Sequence, residues 1–153
     1  MDLLNVIVVS ALPFSELRGG IPLGIFYYGF TPEKAYIVAV LGNLLPVPFL
    51  LLFLENLRNF FMKSRFAPVY TFFERRTEKK RKIIDKYGYL GLLLFVAIPL
   101  PVTGAWTGSL ISFLLKLNPA RSFMFIALGV LTAGLIVTAT VIGVFSLSFL
   151  IKI

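Results

Sequence analysis

The sequence predicts an all-α integral membrane protein: an inverted repeat of two re-entrant helical hairpins, each followed by a long transmembrane helix, with a basic amphipathic linker between the halves. Three observations lead there. The 153 residues are 58% hydrophobic, with a mean hydropathy of +0.91 and only 14% charged residues, far from the balance of a soluble domain. The charges are segregated, leaving uncharged runs at 3–15, 19–32, 35–54, 87–115 and 122–151, and a spanning helix needs about 20 apolar residues. The chain also repeats itself: Thr31-Pro32-Glu33-Lys34-Ala35-Tyr36 is echoed by Asn118-Pro119-Ala120-Arg121-Ser122-Phe123, with Gly42 and Gly129 ten residues beyond each proline.

The N-terminal apolar stretch 3–12 resembles a signal-peptide core. However, no basic residue precedes it, and Pro-Phe-Ser-Glu-Leu-Arg follows where a small-residue cleavage site belongs. It is therefore expected in the mature chain, as the first arm of a hairpin over 3–29 that turns around Glu16-Leu17-Arg18. Each arm of about 11 to 14 residues is too short for a hydrocarbon core of about 30 Å at about 1.5 Å rise per residue, so the hairpin enters and leaves on one side. Helix 32–57 follows, with Thr31 as cap and Pro32 at the first helical position, where a missing N–H costs nothing. Asn43, Pro46 and Pro48 mark a kink within it.

The linker 58–86 holds ten basic and three acidic residues, so +7 of the net +8 sits there. A short basic segment between apolar runs obeys the positive-inside rule and is expected in the cytoplasm, with the chain in the cell (plasma) membrane. The linker is read as an interfacial helix broken near Pro68. Glu78 is spaced to pair with Lys82, and Phe60, Phe61, Phe66, Tyr70, Phe72 and Phe73 suit the headgroup level. Arg75 and Arg76, with Lys34 and Arg121, are candidates for lipid headgroup contact. This concentration of charge in one loop speaks for membrane lipids, not nucleic acid, as the partner. The second hairpin, 87–115, is cut by IPLPVTG at 98–104, and helix 119–151 opens like its counterpart. One crossing per half inverts the second half relative to the first, the arrangement in which transporters bind substrate where broken helices meet.

Without cysteine or histidine, disulfides, thiolate chemistry, the commonest metal ligand and the commonest general base are missing. Seven acidic residues remain, of which only Glu16 lies in a hairpin, so paired carboxylates for acid/base chemistry or metal binding are hard to assemble. No enzyme, metal or cofactor is expected. A charge at the centre of an inserted helix costs about 2.5–3.5 kcal/mol, so Glu16 and Arg18 need partners or water. Residues at i and i+2 of a helix do not face each other; either the chain unwinds there, as Pro13 and Gly19-Gly20 permit, or the two charges have different partners. In the second hairpin, Pro99 and Pro101 free carbonyls one turn back, while Thr103, Thr107 and Trp106 offer hydroxyls and an indole N–H to broken backbone or to a substrate. The spacings Gly20/Gly24, Gly104/Gly108 and Ala139/Gly143 allow close helix approach. Asn43 either bonds a neighbouring helix or contacts substrate.

SELRGGIPLGI near the start and IPLPVTGAWTGS near residue 100 resemble the small multidrug export protein family, a relative of the DedA/VTT (SNARE-associated) membrane proteins. The resemblance covers nearly the whole chain. It implies paired re-entrant hairpins and a superfamily whose characterised members move phospholipids or polyprenyl phosphates between leaflets. DedA proteins carry arginine in their second hairpin motif, whereas residues 98–108 hold no charge here. The leading expectation is a DedA-like transporter of an anionic lipid. In that reading Arg18 grips the headgroup through its guanidinium fork, Glu16 carries the coupling proton, and Asn43, Pro99, Thr103, Trp106 and Thr107 line the path. A second expectation is a multidrug exporter with Glu16 as coupling carboxylate; a third is a scaffold or insertion factor acting through the basic linker. A homodimer is expected, because so small a bundle has little interior with which to shield Glu16 and Arg18.

Overall fold

The computed structural model describes residues 1–63, 67–79, 81–101 and 103–151, and these are helical with no strand among them. The helices are α1 (Asp2–Ala11), α2 (Glu16–Pro22, continued by a π-helical turn over Leu23–Tyr27), α3 (Pro32–Leu44), α4 (Pro46–Lys63), α5 (Ala67–Lys79), α6 (Arg81–Ala97), α7 (Ala105–Leu114) and α8 (Pro119–Ile151). Among the described residues, two stretches are long and apolar enough to cross a membrane, Pro32–Leu57 and Pro119–Val144. At 26 residues apiece they extend about 39 Å as helix, more than the hydrocarbon thickness.

Both long helices begin with a satisfied cap. The Thr31 hydroxyl accepts from the Lys34 N–H at 3.4 Å, and Asn118 Oδ1 accepts from the N–H groups of Ala120 and Arg121 at 3.0 and 3.2 Å. A proline follows each cap, where no intrahelical donor is missed. The first crossing is interrupted at Leu45, between Asn43 and Pro46. Pro22 inside α2 has no N–H for the ladder, and the helix widens into its π turn, closed by Tyr28 N–H to Leu23 carbonyl at 3.2 Å.

The core is assembled from both halves of the chain. In the first, α1, α2 and α3 pack on one another; in the second, α6 and α7 pack on α8 and on each other. The halves join where α3 and α2 meet α8 and where α4 meets α7. Buried Val6, Leu17, Ile21 and Ala39 form one continuous cluster with Leu92, Val96, Ile126 and Val130. Small residues let these helices close in: a Cβ on Gly42 would stand 2.6 Å from the Ile7 carbonyl, and Tyr36, whose hydroxyl donates to the Leu131 carbonyl at 3.1 Å, lies over Gly134. Gly143, by contrast, has nothing within 4 Å, so the Ala139/Gly143 pair brings no helix close here.

The linker differs from expectation at its C-terminal end. Residues 81–86 belong to α6, which runs on unbroken to Ala97, so the arm starts six residues before 87 and is 17 residues long. Pro68 lies in the first turn of α5, and the break expected near it falls on residues 64–66, between α4 and α5, which lie outside the described residues. Glu78 lies 3.7 Å from Lys116, whereas Lys82 is on the next helix. Phe66 lies outside the described residues, as do the side chains of Phe60, Phe61, Tyr70 and Phe73.

Candidate functional site

Two breaks in helical backbone face each other across the centre of the molecule. The first, 12–15, ends α1; the second, 98–104, ends α6. Each leaves helix ends whose carbonyl or N–H groups have no partner in their own ladder. Glu16 resumes the chain after the first break at φ +45°, a left-handed conformation that costs a non-glycine residue of order 1 kcal/mol and persists only where surrounding contacts impose it. At this angle the side chain turns away from its own helix.

It turns toward α7. The Glu16 carboxylate, on a residue only 6% exposed, accepts from the backbone N–H groups of Trp106 and Ala105, the first residues of α7. Gly104, the N-cap of α7, supplies no side-chain bond of its own; a Cβ there would overlap the Glu16 carboxylate. Glu16 thus caps a helix 89 positions away in sequence, where the positive end of the helix dipole meets its charge. The contact is reciprocated: Trp106 Nε1 donates at 3.0 Å to the carbonyl of Ala11, the last residue of α1. Each broken helix satisfies an orphaned group of the other.

Arg18 has a different position. It attracts Glu16 through space, but it lines an apolar cleft of about 530 Å³ with Pro13, Phe14, Leu50, Leu54, Pro101, Trp106, Thr107 and Leu110. Glu16 does not line this cleft. It closes a second cavity of about 10 Å³ behind it, shared with Arg18, Asn43, Pro99, Thr103 and Gly104. The two charges share the small cavity, but of the two only Arg18 also lines the apolar cleft, and the backbone is unwound at Glu16. Asn43, 1% exposed, holds an Oδ1 with no hydrogen-bond partner in this second cavity.

The other sequence candidates sort by position. Thr103 serves its own loop: Oγ1 accepts from the Leu100 N–H at 2.9 Å and lies 2.5 and 2.8 Å from the carbonyls of Ile98 and Leu100. Thr107 lines the large cleft and Pro99 the small one. Gly19 approaches Ser15, Gly20 faces Ser10 of α1, Gly24 faces Ala35 of α3, and Gly108 packs on Val96 of α6, all contacts of helix packing. Lys34 sits over the Phe30 ring at 4.1 Å and Arg76 over Phe72 at 5.4 Å. Arg75 is exposed, and Arg121 borders a polar cleft of about 590 Å³ with Glu55, Asp85 and Lys116, so none of these four reaches the central site. Among the described residues no group of three or more His, Cys, Asp or Glu gathers to hold a metal.

Sequence reasoning missed the cleft walls Leu50 and Leu54, one turn apart on α4, and Phe14, 93% exposed at the rim. The only hint was an apolar i, i+4 pair after the kink, which any packed helix also shows. Compared with known proteins, the chain matches the family model described as "Putative small multi-drug export protein" over residues 16–136. No curated protein and no solved structure matches it.

Proposed function

Since the chain belongs to the small multi-drug export protein family, we propose that it exports a small amphiphile bearing a negative charge, bound in the cleft between the two broken helices. The observation that carries this is the position of Arg18: it is the charged residue lining a cleft whose other walls, Thr107 apart, are apolar or aromatic, within the usual size range for drug-sized ligands. An apolar body fits against Phe14, Leu50, Leu54 and Leu110, and the guanidinium offers a bidentate contact to a carboxylate or phosphate. Glu16, outside the cleft but two residues from Arg18, is the coupling carboxylate. In its ionised form it holds the two halves together through α7, and a proton weakens that hold.

The same chemistry admits a lipid substrate, the reading implied by the DedA resemblance, and the exposed apolar rim at Phe14 suits an acyl chain reaching in from the bilayer. In either case α1/α2 and α6/α7 act as re-entrant hairpins of an inverted repeat in the cell membrane, with the linker cytoplasmic and the site shielded in a homodimer.

The test is transport in proteoliposomes under a pH gradient. An anionic fluorescent amphiphile, its cationic analogue and a labelled polyprenyl phosphate are compared across wild type, Arg18→Ala and Glu16→Gln. The anionic probe moves and the cationic one does not. Arg18→Ala slows transport about tenfold or more, the worth of a charge-assisted hydrogen bond of about 1.5–3 kcal/mol. Glu16→Gln abolishes the response to the gradient. Equal transport of the cation, or an Arg18→Ala variant as fast as wild type, refutes the reading.

A further inference from the structure

The ionised Glu16 accepts from two backbone N–H groups at the start of α7. Once protonated, the group changes character: a carboxylic acid carries an O–H donor that needs an acceptor. The first turn of a helix offers only donors, so the N-terminus of α7 cannot provide one. A buried donor without a partner is unfavourable, and any proton-loaded state of this site must find an acceptor nearby.

Three described buried side-chain oxygens lack a hydrogen-bond partner: Ser10 Oγ, Asn43 Oδ1 and Thr138 Oγ1. Of these residues only Asn43 lines the cavity that Glu16 closes. That cavity, about 10 Å³, is about the size of one water-sized probe, so free space adjoins both Glu16 and Asn43. Asn43 stands in the last turn of α3, two residues before the interruption at Leu45. We propose that Asn43 Oδ1 is the acceptor for the protonated form of Glu16, so that proton loading moves the carboxyl from the first turn of α7 to the crossing helix α3. This rests on Glu16 being the coupling group, and it assigns Asn43 as a positioning residue that sets where the proton-loaded state is stable.

The charged and titratable surroundings of Glu16 are few. Arg18 of α2 acts on it; α3 faces the cavity with Asn43, α6 with Val96, α7 with its backbone, and α8 with Val130 and Ala133. None of these besides Arg18 titrates or carries charge. The acceptor is thus the part of the site that separates the two protonation states without changing its net charge.

The measurement is infrared difference spectroscopy of the full chain in nanodiscs during a pH titration. The carboxylic C=O band of Glu16 is identified by its loss in Glu16→Gln. In Asn43→Leu, close to Asn in size but without an acceptor, the band moves to higher frequency and the titration midpoint falls by about one pH unit, the equivalent of one hydrogen bond. Asn43→Thr, which keeps a hydroxyl acceptor, restores most of the wild-type midpoint and guards against a folding defect in the leucine variant. An unchanged band and midpoint in folded Asn43→Leu overturn the proposal. The spectra need no transport, so a moving band in a protein that transports nothing supports the Asn43 assignment while removing the proposed function.

Discussion

The two breaks solve one problem with opposite means. At 12–15 the chain supplies side chains, with Glu16 and Arg18 immediately after the break; at 98–104 it supplies backbone, with two prolines, a threonine and Gly104 but no charge. The charged break depends on the uncharged one, since Glu16 finds its donors on Ala105 and Trp106, while Trp106 repays the first with a bond to Ala11. A charge inside a membrane protein thus need not have an opposite charge as its partner; the exposed N–H groups of a broken helix serve as well.

The comparison can be broken hardest at Gly104. Gly104→Val places a side chain where the Glu16 carboxylate lies, expelling it and leaving a buried charge unpaired and α7 uncapped. The expected loss is about 3–5 kcal/mol of stability, visible as a fall in the midpoint of thermal unfolding in detergent. An intact midpoint would mean that Glu16 is not held there. The reciprocal bond is weaker because both of its partners are neutral. Trp106→Phe keeps the ring but removes the indole donor, costing about 1–2 kcal/mol; a loss matching that of Gly104→Val would show the two contacts to be equal, contrary to the charge argument. Smallest is Thr103→Val, which strips the hydroxyl that bridges within 98–104 and should cost about 1 kcal/mol. Hydrogen exchange at Leu100 checks it, rising in the variant if the hydroxyl holds that N–H.

Much of the fold was legible because it depends on local chemistry. Apolar runs of spanning length and caps followed by proline mark Pro32 and Pro119 as helix starts from a few neighbouring residues. The start of α6 was not legible: the basic composition of 81–86 reads as the end of the interfacial linker, yet Arg81–Lys86 continues into the apolar part of the same helix, since lysine and arginine are good helix formers wherever their charges reach water. Within the site, Glu16 and Arg18 stood out as ionisable groups in an apolar stretch. Their spacing excluded a simple helical pair, but not which partner each takes.

Sequence alone determined the solvent this protein is built for, the two long apolar helices and the residues whose burial demands an explanation, because these follow from composition and from periodicity within a few residues. Only the tertiary structure decided that Glu16 caps a helix 89 positions away, that Arg18 lines the apolar cleft, and that Asn43 is left with an unbonded oxygen on a residue lining the same small cavity as Glu16. Those outcomes depend on which broken helix ends meet. Each break has groups to satisfy, and local propensity cannot say which distant segment will satisfy them.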